Sequence, residues 1–391
     1  MRILYLHQYF KTPEEGGAIR SYYIGKALAA RGHEVVMLTS WNGRVEKKEQ
    51  IAGMEVHYLP VPYDNAMGFG RRIQAFVQYL WLARQRIDQL MPADLVYATS
   101  SPLTIGLLAL YLHKRYKLPY VFEVRDLWPE APIQMGAIRN KLLIKSLKAL
   151  EKQVYQQAAV VVALSPGIAD GIKKLHPAAT IHMAPNMADC EFFRPVPKPG
   201  ALVKAWGLEG KFVISYTGAA GATNHLEYLL AAAKACLDAQ LPVHFLLAAA
   251  GSELERLKQE AAALKNLSFL PFGGKEQVRE YLAVSDASYT SFGPQPILQT
   301  NSPNKLFDAL AAGKLCIVNT GGWLKNLVEE QQCGFYAPAD EPSVFIQKLL
   351  PYLQQPSLLE QAQANARQTA ETMFSRSNVT AGIAELLENG V

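Results

Sequence analysis

The feature that most constrains this chain is an alternation, run twice, between short apolar segments and stretches of helical periodicity. Residues 2–5 are a short apolar run and residues 7–15 a polar loop. Gly16 and Gly17 then lead into a helix on which Ile19, Tyr23, Ile24, Leu28 and Ala29 recur at helical spacing. Arg31 and Gly32 end that helix, since glycine accepts the left-handed conformation after a last turn, and residues 34–39 form the next apolar run. This is a βαβ unit. It recurs at 95–98 with a helix near 103–116, at 120–123 with a long helix near 143–158, and at 159–163 with a short helix starting near Ser165 and Pro166. Apolar strands without clean polar alternation predict a parallel sheet covered on both faces, hence an α/β fold.

The stretch FFRPVPKPG, with three prolines and a glycine, interrupts the pattern near residues 192–210. It then restarts: strand 212–216, Gly-rich loop and helix 226–237; strand 244–248 and helix 253–263; strand 267–270; strand 287–290, loop and helix 305–312; strand 315–318. We therefore expect two doubly wound, Rossmann-like domains, residues 1–195 and 196–391, with a cleft between them and the last helix packing back on the first domain. In such sheets ligands bind at the carboxyl ends of the strands, so chemistry is sought in the loops that follow them.

Charge and cysteine content narrow the function. Of 391 residues, 39 are Lys or Arg and 34 are Asp or Glu, and the net charge of +5 is unevenly shared. Residues 1–195 carry 24 basic and 16 acidic groups. That favours a phosphate or an anionic lipid as the partner of the first half, while no basic tract has the density of a nucleic-acid-binding tail. Cys190, Cys236, Cys316 and Cys333 are too scattered for a zinc site, and reduced thiols in a cytoplasmic protein are the simplest reading. No DxD sequence and no ligand cluster indicates a required metal ion.

Four loops can carry chemistry. Gly16 and Gly17 bring bare backbone amides near a phosphate or a reacting sugar, or simply make a permissive loop; Arg20 beyond them is either an anion ligand or a solvated charge. FEVRDLWPE, residues 122–130, gathers Glu123, Arg125 and Asp126 after a strand, where one carboxylate can orient or accept a proton while Arg125 contacts an anion or holds a carboxylate in place. SYTGAAGA, residues 215–222, offers Gly218 and Gly221 to a diphosphate. NSPNKLFDALAAG, residues 301–313, places Ser302 and Pro303 at a helix start with Asn304 and Lys305 following. Lys305 then reaches for a phosphate, and Asp308 on the same side accepts sugar hydroxyls.

Taken in order, MRILYLHQYF with its GG, FEVRDLWPE, VVVALSPGI, Pro185 with Asn186, SYTGAAG, FLLAAAGSELERL, SPNKLFDALAAGK and CGFYAPAD resemble glycosyltransferase family 4 of the GT-B type. Within it, the chain resembles the bacterial polysaccharide-assembly transferases that place amino or deoxy sugars on lipid-linked acceptors. The resemblance implies a retaining transfer from a nucleoside-diphosphate sugar, UDP-linked by expectation, held by the second domain, to a saccharide or polyprenyl-diphosphate-linked acceptor held by the first. It implies no tightly bound cofactor, and a cytoplasmic location, peripheral to the membrane. Family members usually carry two glutamates eight positions apart; here the second position is Asp308 and the first is Thr300. Where many relatives have a histidine after the strand ending at Val124, this chain has Arg125. The Arg and Lys that commonly grip the diphosphate are missing from the 215–225 loop, leaving Lys305 as the main cation for the leaving group.

The implied site is therefore Asp126, Lys305, Glu123 and Arg125 for catalysis, with Gly16, Gly17, Gly218, Gly221, Ser302, Asn304, Lys305 and Asp308 around the donor. Two other functions fit a sugar-nucleotide fold: an epimerase, which needs acid/base pairs around the hexose, and a non-catalytic sugar-nucleotide-binding protein, for which Thr300 is the best argument. Residues 71–87, with four arginines among Phe76, Tyr79, Leu80, Trp81 and Leu82, suit either an interfacial helix or an ordinary helix packed on the sheet.

Overall fold

The computed structural model describes residues 1–15, 19–64 and 67–391. Gly16 and Gly17 lie outside the described residues. The chain forms two compact units. The first comprises Met1–Pro185, Thr300–Ser302 and Val379–Val391, the second Asn186–Gln299 and Pro303–Asn378. The division thus falls ahead of the proline-rich stretch, and the end of the chain counts with the first unit.

The strands of the first unit are β1 (Arg2–Leu6), β2 (Glu34–Trp41), β3 (Lys47–Ile51), β4 (Met54–Pro60), β5 (Leu95–Thr99), β6 (Tyr120–Val124), β7 (Val160–Ala163) and β8 (Ile181–Met183). They form one sheet in the order β3-β4-β2-β1-β5-β6-β7-β8. Every pairing but β3 with β4 is parallel. Every residue of β5, β6 and β7 is buried, as expected of strands covered on both faces. The β3–β4 hairpin is absent from the sequence reading. Its turn, Ala52 and Gly53, has both residues at positive φ, 51° and 85°, which matches the right-handed twist of the strands. β3 itself, KKEQI, is an edge strand bearing three charges, a composition that discourages further pairing.

In the helix Phe69–Ile87, Phe76, Tyr79, Ala83 and Ile87 are buried. The opposite stripe is in solvent, with Ile73, Val77 and Trp81 37%, 56% and 60% exposed. No helix among the described residues is long and apolar enough to cross a membrane.

The second unit holds β9 (Phe212–Ala219), β10 (Val243–Ala250), β11 (Leu267–Leu270), β12 (Ala287–Thr290), β13 (Leu315–Val318) and β14 (Gly334–Tyr336), all parallel, in the order β11-β10-β9-β12-β13-β14. Its core joins Ile214, Tyr216, Phe245, Leu247, Tyr289, Ile317 and Phe345. In each sheet the winding reverses once, between β1 and β5 and between β9 and β12. Those two points are where a doubly wound sheet leaves room for a ligand.

Candidate active site

At the reversal point of the first sheet, the parallel register sets the ends of β1, β5 and β6 side by side. His7, Ser100 and Arg125 follow those strands. The Ser100 amide donates to the Glu123 carbonyl at 2.9 Å, and the Arg125 amide donates to Ser100 Oγ at 3.2 Å. Ser101 Oγ donates to Asp126 Oδ2 at 3.3 Å, which holds the carboxylate beside the β5 loop. Arg125 Nη1 approaches His7 Nε2 at 3.5 Å, and His7 Nδ1 lies 2.8 Å from Ser21 Oγ. His7 is fully buried. Burial first, and the Arg125 charge second, hold its pKa well below the ordinary 6.5, so the ring is neutral at pH 7.

Glu123 corrects the sequence reading. The sequence places it in a cluster with Arg125 and Asp126, but Glu123 lies within β6, its side chain in the core, whereas those two residues follow the end of the strand at Val124. Its carboxylate is fully buried and pairs with Arg20, not Arg125, at 3.0 Å. Tyr97 donates to the same oxygen at 2.9 Å. Arg20, rather than lying in solvent, is buried and also donates to the Ala184 and Pro185 carbonyls at 2.8 and 2.5 Å. One guanidinium therefore ties the helix Arg20–Ala30 to β6 and to the chain leaving β8. The other carboxylate oxygen, Glu123 Oε1, is buried without a hydrogen-bond partner.

The second unit builds its site around Lys305. The helix Asn304–Ala311 follows Pro303, which occupies the N-cap position, so no side chain caps it; Ser302 lies outside the capping position and counts with the first unit. Asn304 is exposed at the first position. Lys305 is not free, as the sequence suggested. Its ammonium donates to Tyr216 Oη at 2.7 Å and sits 4.1 Å from that ring's centroid, while Tyr216 Oη donates to the Ala219 carbonyl at 2.7 Å. Gly218, at φ 149°, makes the room: a Cβ there would stand 2.9 Å from Lys305 Cε and 3.0 Å from Nζ. The lysine lies against the backbone at the carboxyl end of β9, and among the described residues no carboxylate pairs with it. Burial alone lowers its pKa from 10.5 to about 7.

Gly221 forms the turn just beyond, its carbonyl accepting from the Asn224 amide at 2.9 Å. Asp308 is on the same helix in a different electrostatic setting. Burial raises its pKa to about 7, opposed by Lys275 and Arg376, both of which pair with Asp189. The ribose-type role read for Asp308 thus rests on a carboxyl poised near neutrality. Thr300, at the position of the family's first glutamate, has its carbonyl held by Ser165 Oγ at 2.5 Å, and its side chain packs on Gly167.

His7, Tyr216 and Asn319 are participants that sequence reasoning did not single out, and Arg20, read there as an anion ligand or a solvated charge, is instead the buried partner of Glu123. Asn319, after β13, accepts from the Phe292 amide at 2.9 Å and donates to the Phe292 carbonyl at 3.0 Å, fixing the loop after β12. The position of each at a strand end was the available signal; the partner was not. Among the described residues no group of three or more His, Cys, Asp or Glu side chains could hold a metal ion.

Two family models match the chain, a glycosyl transferase 4-like domain over residues 15–187 and a glycosyl transferases group 1 domain over residues 211–355. No curated protein matches its sequence. Several solved structures share its fold over nearly their whole length. Sucrose-phosphate synthase from Thermosynechococcus elongatus superposes with a TM-score of 0.77 at 16% identity, covering 99% of this chain and 98% of that one. The Anabaena protein HepE, solved in complex with UDP-glucose, gives 0.71 at 18% identity and 99% coverage of both. WaaG, a glycosyltransferase involved in lipopolysaccharide biosynthesis, gives 0.70 at 17% identity and 100% coverage of both. With both halves matched in order, and each forming an α/β unit on a largely parallel sheet, the chain belongs to the glycosyltransferases of the family 4 type, built on the GT-B fold.

Proposed function

We propose that this protein is a retaining glycosyltransferase that moves a sugar from a UDP-linked donor to a saccharide or polyprenyl-diphosphate-linked acceptor in surface polysaccharide synthesis. The observation that carries the reading is Lys305: a desolvated lysine against Gly218, at the reversal point of the second sheet, with no anionic partner among the described residues. A diphosphate placed there restores the charge that burial removes. The start of the helix Asn304–Ala311 adds its dipole, and Gly218 and Gly221 leave the backbone approachable. Asp308, once ionised, accepts two ribose hydroxyls. The complex of HepE with UDP-glucose supports this donor class.

As the bond between the anomeric carbon and the phosphate oxygen breaks, negative charge grows on the leaving diphosphate, and Lys305 stabilises it there. The acceptor oxygen bonds to the same face of the sugar. Asp126 orients the acceptor hydroxyl or takes its proton, and the released phosphate oxygen is the other proton acceptor. Neutral His7 and Arg125 line the acceptor's side of the chemistry. Glu123 acts as a positioning residue through Arg20. The exposed Ile73, Val77 and Trp81 stripe supplies contact with a membrane surface carrying a lipid-linked acceptor.

The test is a panel of UDP-, GDP- and dTDP-sugars incubated with the full chain and membrane lipid extract, following released nucleoside diphosphate and labelled lipid. Labelled lipid made by the wild type and lost in Lys305→Ala and Asp126→Asn is the expected result. Thr300 favours one second reading, a non-catalytic sugar-nucleotide-binding protein; donor binding without transfer across the panel would select it.

A further inference from the structure

The second unit contains a cavity of about 410 Å³ that the donor reading does not use. It lies at the other end of the sheet. Lys314 immediately precedes β13 and Asp286 immediately precedes β12, so these residues mark the amino ends of the strands, whereas Gly218 and Lys305 are at the carboxyl end of β9. Its walls are mostly apolar, with Phe192, Pro199, Leu202 and Leu282 among them, and Lys314 reaches it from inside.

Lys314 is 5% exposed, and among the described residues its ammonium makes no hydrogen bond or ion pair. The nearest carboxylate, Asp286, is already engaged: Lys198 pairs with it, and the Val213 amide donates to it at 2.7 Å. Two lysines thus flank one carboxylate, and the wall adds Arg194 and Arg279 against Glu191 and Glu280, so the charged groups around the hollow remain net positive by one. Burial lowers the Lys314 pKa from 10.5 to about 8, with Lys198 adding to the shift and Asp286 opposing it. A buried, unpaired cation is costly in a folded protein, and an anion entering the cavity removes that cost. On the outer wall, the Arg279 guanidinium and the Lys275 ammonium each lie 4.5 Å from the Phe192 ring centroid, which adds positive charge on that side of the cavity.

We propose that this cavity is a second binding site, taking a small organic anion whose single phosphate or carboxylate group meets Lys314 and whose aromatic or short aliphatic body lies against Phe192, Leu202 and Leu282. The site is independent of the donor site and of its chemistry.

The experiment titrates phenyl phosphate, benzoate and uncharged phenol into the full-length protein by calorimetry. Wild type, Lys314→Met, Leu202→Trp and Lys305→Met are compared, with folding checked by circular dichroism. One of the anions binds wild type and Lys305→Met alike, phenol binds far more weakly, and Lys314→Met weakens the anion by about tenfold or more. Leu202→Trp, which fills the cavity while keeping Lys314, weakens it too. A preference for phenyl phosphate assigns the natural ligand as a phosphate ester, and a preference for benzoate as a carboxylate. Failure of both anions to bind, binding unchanged in Lys314→Met, loss in Lys305→Met instead, or phenol binding as well as the anions would each overturn the proposal.

Discussion

Replacing Lys305 with methionine should stabilise the protein and disable it at once. The lysine's ammonium is desolvated between Tyr216 and Gly218, and its pKa falls from 10.5 to about 7. That drop corresponds to about 5 kcal/mol by which the site favours the neutral amine. Relaxation around the ammonium and the residue's partial exposure reduce the cost of carrying the charge to about 2 kcal/mol in practice. Methionine keeps the stem and the contact with the Tyr216 ring, and Tyr216 Oη still donates to the Ala219 carbonyl. The sign follows from a folded pKa below the unfolded one. The cost is complete below pH 7, where both states are protonated, and it shrinks as pH rises toward 10.5, where the folded state has already lost its proton. Thermal unfolding of Lys305→Met should therefore show a midpoint raised by about 4–8 °C at pH 6 and by little at about pH 11, where the unfolded lysine is also neutral. UDP binding, measured by calorimetry at pH 7, should weaken by about tenfold or more, because a charge-assisted hydrogen bond to phosphate is lost. A variant destabilised equally at both pH values, or one that binds UDP as tightly as wild type, would refute the account of Lys305 as a desolvated cation waiting for an anion.

Glu123→Ala strands Arg20 in the interior and should cost about 3–5 kcal/mol in chemical denaturation, with Arg20→Ala,Glu123→Ala together costing less than the two single changes summed. Gly218→Ala places a methyl group 2.9 Å from Lys305 Cε in a backbone conformation that alanine resists; UDP affinity should fall while the circular dichroism spectrum stays native. UDP affinity should peak near pH 7, falling above it as Lys305 loses its proton and below it as Asp308 gains one, and Asp308→Asn should flatten only the acid limb. Val77→Ser,Trp81→Ser should reduce sedimentation of the full chain with anionic lipid vesicles without changing UDP binding; equal sedimentation would remove that helix from any membrane role.

The architecture was legible in the sequence because a parallel strand covered on both faces must be apolar along its length, and β1, β5, β6, β9 and β13 all show it. The same logic points to the carboxyl ends of β6, β9 and β12, and so to Asp126, Gly218 and Lys305, since a doubly wound sheet leaves its ligand space there. Local pattern did not reveal the β3–β4 hairpin. Its Ala52–Gly53 turn lacks the asparagine or aspartate that usually marks positive φ, and β3 is charged like a loop. Nor could it say who pairs with whom. Glu123 and Arg125 are two apart in the chain, yet the carboxylate's partner is Arg20, brought in by the helix after β1, because a buried charge is satisfied by whichever group the packing delivers. Lys305 reads in sequence as a free cation on a helix. Only the packing of that helix on β12 and β13 brings its ammonium to Tyr216 and Gly218 of the neighbouring β9, and that desolvation turns a common lysine into an anion site. Backbone periodicity is a local property and survives in the sequence, whereas pairing and desolvation are set by residues far apart in the chain and exist only once it has folded.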